Sequence, residues 1–308
     1  MQKDRTSAIC TCVEGDYHYG LAALVNALVV HGFQGDIRVL YRPPLPPWVG
    51  SSSGIFEVPP VTLHFDIAES PAFLASQKAD YMLSLLDKYE HLTSISYFDP
   101  DIVPGAPWSF FESWMRDGVA LCEDNCFGLM GSNHFIRKEW AKFAAQQLGR
   151  EVTHELSRSF NSGFVGVRRE HRSLLEDWKN ATQHLPNIGI GISAFKPGTR
   201  RDPFFGTDQD TLNVACMINP SPLSTLGMEG MGFTPGMDVM WHAVDNPKPW
   251  RRRYLGSLLR HGTRVPAAHR EFWRHANGVI RPWTAGQVLL RQLDLKLAAA
   301  VSRFYHSA

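Results

Sequence analysis

Two aspartates stand one residue apart where an apolar run ends, in the stretch SISYFDPDIVP at residues 94–104. Asp99 and Asp101 flank a proline, and two carboxylates near an apolar core are costly unless something positive lies between them. A surface turn explains Asp-Pro-Asp equally well, because aspartate and proline are common turn residues. A divalent cation is the alternative, since carboxylate oxygens are hard ligands. The pair is therefore either a turn or a candidate metal site.

Two further polar groups follow along the chain. FNSGFVGV places Asn161 at the entry to an apolar strand, and GTDQDTLNVA places Asp208, Gln209 and Asp210 at the start of a predicted helix. Thr207 is the predicted cap of that helix. Each group also has an ordinary explanation, because acidic residues in a first turn are favoured by the helix dipole.

A last group lies in WHAVDNPKPW, which holds His242, Lys248 and Trp250. Imidazole is a frequent metal ligand, and an ammonium binds phosphate. A lone histidine is more often structural, so the significance of this group depends on its coming after the other three.

The elements that position these residues alternate between strand and helix patterns. Strands are predicted at 7–13, 35–42, 93–98, 118–122 and 162–167, and helices at 19–33, 72–92, 135–149 and 171–185. A third strand is predicted within 55–65, and Ser70 is the predicted cap of the second helix. This rhythm predicts an α/β fold with a doubly wound, largely parallel sheet. Ligands bind beyond the carboxyl ends of such strands, and the two aspartates follow the strand at 93–98.

Composition describes an ordinary globular protein of 308 residues, with 44% hydrophobic and 20% charged residues. The net charge of +1 conceals an asymmetry. From Arg251 onward there are 11 basic and two acidic residues, which leaves 20 basic and 28 acidic residues in 1–250. The acidic body argues against nucleic-acid binding, and the basic tail suggests contact with something anionic or simply a solvated helix.

Five cysteines are sparse for this length and fit a reducing, cytoplasmic compartment. Cys10 and Cys12 lack the usual zinc spacing and would point the same way from a strand, as core residues do. The longest apolar stretch, residues 21–30, is too short to span a bilayer.

Four motifs, taken in order, resemble those of glycosyltransferase family eight, which contains glycogenin and bacterial galactosyl- and glucosyltransferases. They are YFDPDIV, FNSGF, DQDTLN and HAVDNPKPW, and the likeness spans residues 7–250. The resemblance implies a GT-A type, Rossmann-like, mostly parallel sheet flanked by helices over residues 1–250. Residues 251–308 are then a basic, helical C-terminal extension.

The resemblance implies a retaining, metal-dependent hexosyltransferase that uses a UDP-sugar donor. Asp99, Asp101 and His242 are the expected ligands of Mn²⁺ or Mg²⁺, and the imidazole shifts the preference toward Mn²⁺. Lys248 is expected to bind phosphate, and Asp99 also to hold the ribose.

On the sugar side, the resemblance implies that Asp208 and Asn161 bind hydroxyls of the donor sugar. Gln209 would lie near the anomeric carbon, on the face opposite the leaving group. An amide is a poor nucleophile, which favours a same-face displacement through an oxocarbenium-like transition state. Asp210 is the alternative for a nucleophilic or electrostatic role.

Two positions and one segment depart from the family pattern. Asp245 replaces a glycine between His242 and Lys248, and Lys78 replaces an arginine in the helix before the DxD strand. A lysine supplies charge there without a bidentate fork. The segment TCVEGDYHYG keeps a loose likeness to the nucleoside-binding strand, in which Tyr17 is placed to stack on uracil.

The tail leaves the acceptor open between a glycan and a lipid-linked molecule. Apolar residues lie among basic ones at Val288, Leu289, Leu293, Leu295 and Val301, as in a helix on the anionic inner face of a membrane. A helix packed on the catalytic body is the alternative.

Two other functions compete with transfer: a nucleotide-sugar-binding relative with little activity, and a metal-dependent phosphoesterase or nucleotidyltransferase. The last would need further metal-binding carboxylates.

Overall fold

The computed structural model describes residues 6–50, 54–193 and 199–304. The strands are β1 (Ser7–Val13), β2 (Asp36–Tyr41), β3 (Ile55–Val58), β4 (Val61–Ile67), β5 (Ser94–Phe98), β6 (Ile102–Pro104), β7 (Val119–Glu123), β8 (Phe160–Arg168), β9 (Leu223–Leu226) and β10 (Met240–His242). The α-helices are α1 (His18–Val30), α2 (Lys78–Lys88), α3 (Trp108–Trp114), α4 (Phe135–Phe143), α5 (Arg172–His184), α6 (Thr207–Ile218), α7 (Tyr254–His261), α8 (Ala267–His275) and α9 (Ala285–Val301).

The main sheet has the strand order β3-β4-β2-β1-β5-β8-β7-β9. The pairs β4–β2, β2–β1, β1–β5 and β7–β9 are parallel, and only β3 and β8 run against the rest. The predicted α/β fold with a mostly parallel sheet is confirmed. Because β8 is antiparallel, its first residues lie at the same edge as the last residues of β5 and β7. Asp99, which follows β5, and Asn161, which lies at the start of β8, are therefore found at the same edge of the sheet.

Helices cover both faces of the sheet, as the alternation of β1 shows. Ile9 and Val13 pack in one core cluster with α1, whereas Cys10 and Cys12 pack in a second cluster with α2 and α5. Successive side chains of a strand point to opposite faces, so two residues two apart share a cluster. Both thiols are buried core groups, in agreement with the sequence interpretation.

Three local predictions are wrong. The segment predicted as a third strand forms the antiparallel hairpin β3–β4, because two prolines turn the chain between Val58 and Val61. Ser70 Oγ accepts a hydrogen bond from the backbone of Ala72, but the helical turn that precedes α2 begins only at Leu74. Thr207 is the first residue of α6 rather than its cap, and Gly206 occupies the cap position without a side chain to donate or accept.

A short second sheet was not predicted. Strand β10 pairs antiparallel with β6, so that His242 lies opposite Ile102, and Ala243 N donates to Asp101 O at 3.0 Å. This pairing brings the histidine of the C-terminal motif beside the second aspartate of the DxD motif. The element that completes the site is thus only three residues long.

The C-terminal helices pack on α1. The shared cluster contains Ala23, Ala27, Val103, Trp250, Tyr254, Leu258, Phe272, Trp273, Ala276, Leu295 and Ala298. Residues on both sides of the predicted boundary at 250/251 contribute to it, and the boundary itself stays a prediction. In the described part of the chain, no helix is long and apolar enough to cross a membrane.

Candidate active site

The two aspartates lie in a tight turn at the carboxyl end of β5. Asp99 N donates to Gly163 O at 2.7 Å, and Ile102 N donates back to Asp99 O at 3.0 Å. The first bond ties the turn to β8, and the second closes it before β6. The turn interpretation and the site interpretation therefore describe the same feature, because the turn directs both carboxylates into one place.

Asp99, Asp101 and His242 converge there. One ligand atom from each lies within 4.8 Å of the others. His242 Nε2 is 3.3 Å from Asp101 Oδ1 and 3.7 Å from Asp99 Oδ2. His242 approaches the backbone of β8 closely, since a Cβ added at Gly163 would lie 2.5 Å from His242 Cε1. Two carboxylate oxygens and an imidazole nitrogen form a donor set that fits Mn²⁺ or Mg²⁺.

Two lysines hold the outer oxygens of the two carboxylates. Lys248 Nζ donates to Asp101 Oδ2 at 2.7 Å, and Lys78 Nζ lies 3.0 Å from Asp99 Oδ1. Each aspartate therefore keeps its other oxygen turned toward His242 Nε2. Burial alone would raise the pKa of Asp101, but Lys248 and His242 outweigh burial and hold that pKa below its usual value. The carboxylate is thus ionised at neutral pH, as a metal ligand must be.

Lys78 also connects the two aspartates to the predicted sugar-binding residues. Its Nζ lies 2.9 Å from Asp208 Oδ2 and donates to Ser162 O at 3.2 Å. Ser162 Oγ donates to the same Asp208 oxygen at 2.7 Å. Burial would lower the pKa of Lys78, but Asp208 and Asp99 raise it above its usual value, so the lysine stays charged. Since Asp99 Oδ1 also accepts from Tyr97 OH at 2.8 Å, that oxygen already has two partners.

Asn161 and Gln209 meet at the start of β8. Asn161 Nδ2 donates to Gln209 Oε1 at 3.1 Å and to Asp124 Oδ1 at 2.9 Å. Its own carbonyl oxygen accepts from Gly163 N at 2.8 Å, which fixes the orientation of the amide. The structure thus brings the predicted Asn161, Asp208 and Gln209 together beside Lys78 and Ser162.

Asp210 is separate from this group. Its Oδ2 accepts from Gly206 N at 2.7 Å, so the side chain ties the first turn of α6 to the preceding loop. Burial raises the pKa of Asp210 well above its usual value, and Asp208 and Asp124 add to that effect against the Gly206 hydrogen bond. A carboxyl group in this setting is a poor anionic nucleophile.

Tyr17 lies beside Lys248, with Lys248 Nζ 5.9 Å from the centre of its ring, and its ring meets Trp250 edge-on at 5.3 Å. Trp250 Nε1 donates to Asp16 Oδ2 at 2.8 Å, and Arg251 binds both oxygens of Asp16. The turn after β1 is thus joined directly to the motif that carries Lys248. Asp245 is exposed on the loop between His242 and Lys248 and joins none of these contacts among the described residues.

Sequence reasoning missed five residues that build the site. Tyr97 has the pattern of a strand residue, and Asp16 and Asp124 lie outside the four motifs. Ser162 stands inside FNSGF, and its position next to Asn161 could have marked it as a site residue. Asn213, the last residue of DQDTLN, binds both backbone groups of Phe160 at 2.8 Å and so fixes the start of β8 against α6.

Comparison with solved structures identifies proteins of the same fold. The bifunctional glycosyltransferase WbbM matches with a TM-score of 0.55 and 15% identity over 94% of this chain and 52% of WbbM. The glycosyltransferase GlyE of Streptococcus pneumoniae TIGR4 matches with a TM-score of 0.52 and 12% identity over 94% of this chain and 64% of GlyE. The chain therefore spans about half to two thirds of the length of these two proteins.

The galactosyltransferase LgtC, a family-eight protein solved with donor and acceptor sugar analogues, matches with a TM-score of 0.52 and 11% identity. The match covers 91% of this chain and 98% of LgtC. No protein-family model matches the chain, and no curated protein sequence matches it. At these identities the likeness concerns architecture, and it agrees with the four motifs. The chain has the GT-A fold of the glycosyltransferases and, within it, resembles family eight.

Proposed function

We propose that the protein is a retaining, metal-dependent glycosyltransferase that moves a hexose from a UDP-sugar to a glycan or lipid-linked acceptor. The observation that carries the proposal is the convergence of Asp99, Asp101 and His242 at the carboxyl edge of a GT-A sheet. Each carboxylate there is held by a lysine and keeps one oxygen directed at His242 Nε2. A phosphoesterase is less well supported, because the described residues contain no second group of candidate metal ligands.

In this proposal Asp99 Oδ2, Asp101 Oδ1 and His242 Nε2 hold Mn²⁺ or Mg²⁺. A divalent cation bound there supplies Lewis-acid stabilisation of the charge that develops on the diphosphate leaving group. Lys248 is 7% exposed and stays charged, because Asp101 raises its pKa against the effect of burial. It can therefore bind a phosphate oxygen from the edge of the site. Tyr17 next to it is proposed to contact the nucleoside.

The stereochemical part of the proposal rests on Gln209. An inverting enzyme needs a general base on the face opposite the leaving group. An amide cannot take a proton at neutral pH, and Asp210 is engaged with Gly206 N. The acceptor hydroxyl would then approach on the leaving-group side and give its proton to a diphosphate oxygen. Asp208 and Asn161 would hold the hydroxyls of the donor sugar.

The test is a donor-hydrolysis panel with UDP-, GDP- and ADP-sugars, each with and without Mn²⁺. We expect a UDP-hexose, glucose or galactose, to be consumed fastest and only with the cation. Proton NMR of the product should then show an α-linkage from an α-donor. Gln209→Ala should slow transfer without abolishing donor binding, because Lys248 still binds the diphosphate.

Several outcomes of the panel would contradict the proposal. Faster consumption of a GDP-sugar would overturn the nucleotide assignment, and a β-linked product from an α-donor would overturn retention. Mn²⁺-dependent UDP binding without any turnover would identify the chain as a donor-binding relative. The panel therefore separates donor binding, donor choice and stereochemistry.

The proposed location is the cytoplasmic side of a membrane, where a lipid-linked acceptor would be presented. The basic character of residues from Arg251 onward motivates this part of the proposal. A peripheral contact through the tail would bring the catalytic edge near such an acceptor.

A further inference from the structure

A groove of about 570 Å³ lies between α7 and α9, away from the aspartates of the candidate active site. It is lined by Arg253, Gly256, Ser257, Arg260, His261, Leu290, Arg291 and Asp294. Arg291 is fixed in place, because its guanidinium donates to Arg252 O at 3.0 Å. Three guanidinium groups around one groove form a candidate site for an anion.

The lining residues of the groove include three arginines and one carboxylate, so the groove keeps a net positive charge. Asp294 is the acidic member, and its two oxygens accept from Tyr254 N at 2.8 Å and Leu255 N at 3.0 Å. It therefore serves the first turn of α7, where a negative charge is favoured by the helix dipole. The other acidic residue of the tail, Glu271, is paired with Arg274 at 2.8 Å. The arginines of the groove thus remain available to a ligand.

Beside the groove, α9 presents an apolar face to solvent. Leu290, Leu293 and Leu297 are 67%, 45% and 54% exposed. At 100° per residue these three lie on a different side of α9 from Leu295 and Ala298, which are buried against the other C-terminal helices. Large apolar side chains gathered on one exposed helical face mark an interaction site. Leu293 and Leu295, two of the apolar residues that the sequence places among basic ones in the tail, thus lie on opposite sides of α9.

The combination of apolar face and basic groove distinguishes between classes of partner. A protein partner would cover the leucines but has no need of three arginines that form no ion pair among the described residues. A phospholipid surface offers acyl chains to the leucines and phosphates to the arginines. We propose that the α7–α9 face docks on an anionic phospholipid bilayer, with lipid phosphate in the arginine groove and the leucines of α9 at the level of the acyl chains. This inference develops the membrane contact of the proposed function and does not depend on sugar transfer.

The test is co-sedimentation of the full chain with vesicles of phosphatidylcholine alone or mixed with phosphatidylglycerol. We expect binding to the mixed vesicles only, weakened by salt. The triple variant Arg253→Gln, Arg260→Gln, Arg291→Gln should lose roughly 100-fold in vesicle affinity, because each arginine near an anionic surface contributes about 1 kcal/mol. The matched variant Arg264→Gln, Arg270→Gln, Arg281→Gln carries the same net charge outside the groove and should keep most of the affinity.

A second pair of variants tests the apolar face. Leu290→Ser with Leu293→Ser should weaken binding, whereas Val30→Ser, an exposed apolar residue at the end of α1, should not. Equal binding to neutral vesicles, or equal losses in the two arginine triples, would each overturn the docking proposal. Donor hydrolysis by the same variants is measured separately, so a failure of vesicle binding is not confused with a failure of transfer.

Discussion

At the residue scale, the two lysines explain why the chain tolerates like charges one residue apart. Lys78 and Lys248 each neutralise one oxygen of one carboxylate, and the two other oxygens remain directed at His242. Each lysine also has a second acidic or carbonyl partner, which holds its ammonium in place. Three carboxylates and two ammonium groups thus form one network before a ligand arrives, with the proposed ligand atoms already directed inward.

Asp101→Asn tests this arrangement. The amide keeps the shape and one acceptor for Lys248, but it removes the negative charge from the proposed metal ligand. We expect Mn²⁺ affinity and Mn²⁺-dependent UDP affinity to fall at least roughly 100-fold, as measured by calorimetry. The far-ultraviolet circular dichroism should be unchanged.

The matched control is Asp245→Asn, which removes a carboxylate from the exposed loop next to His242. It should leave both affinities within roughly a factor of two, because an exposed charge is well screened. Undiminished metal-dependent UDP binding by Asp101→Asn would remove this residue from the proposed ligand set.

The polar residues of the site differ in how far sequence could assign them. Asp101, His242 and Lys248 stand in motifs with a fixed order, so resemblance singled them out, and the structure brings them together. Tyr97 opens the motif YFDPDIV but has no predicted role, because a tyrosine in a buried strand is ordinary until its hydroxyl is seen to reach Asp99. Asp124 is set by the three-dimensional pairing of β7 with β8, which no local pattern encodes.

At the element scale, the site depends on two strands, β8 and β10, that pair antiparallel with their neighbours. Strand β8 is antiparallel to β5 and β7, which places Asn161 and Ser162 at the edge that carries Asp99. Strand β10 reaches β6 across more than a hundred residues of sequence and carries His242. The strand pattern of residues 162–167 could be predicted, but its direction could not, since direction follows from the topology and not from periodicity.

Gly163→Ala tests the close approach between β8 and β10. A Cβ there would lie 2.5 Å from His242 Cε1 and 2.8 Å from Asn161 Oδ1. The ring must move, so we expect loss of Mn²⁺-dependent UDP binding together with a decrease in stability of about 1–3 kcal/mol.

Gly166→Ala is the control in the same strand. Its Cβ would lie 2.9 Å from Met115 Cγ, in the core and away from His242. We expect a comparable decrease in the free energy of unfolding but retained UDP binding. If both variants lost the nucleotide equally, the strand as a whole rather than the glycine–histidine contact would be responsible.

At the scale of the whole molecule, the termini of the predicted catalytic region are tied to each other. Asp16 follows β1, whereas Trp250 ends the last motif and Arg251 comes directly after it, yet the three side chains share hydrogen bonds. Composition could predict the acidic body and basic tail, but not this contact, because a single aspartate in a turn has no distinctive pattern. The contact makes the position of Lys248 depend on the turn after β1.

Replacing Asp16 tests the hydrogen bonds that join it to Trp250 and Arg251. Asp16→Asn keeps an acceptor for Trp250 but removes the ion pair with Arg251, so the Lys248 segment should be held less firmly. We expect UDP affinity to fall roughly threefold to tenfold and stability at pH 7 to fall by about 1 kcal/mol, as for a bidentate pair at the surface. Asp87→Asn breaks a comparable exposed pair with Arg172 between α2 and α5 and should leave UDP binding unchanged.

The pH dependence of stability provides a second measurement on the Asp16→Asn variant. Burial would raise the pKa of Asp16, but the hydrogen bonds from Arg251 and Trp250 outweigh it, and the pKa is lowered on folding. The stabilisation is therefore present above the pKa of the unfolded chain and is lost as the pH falls through the folded value. Chemical denaturation of both proteins across this range should show a difference at neutral pH that disappears in acid. A difference that persists in acid would mean that the ion pair is not its cause.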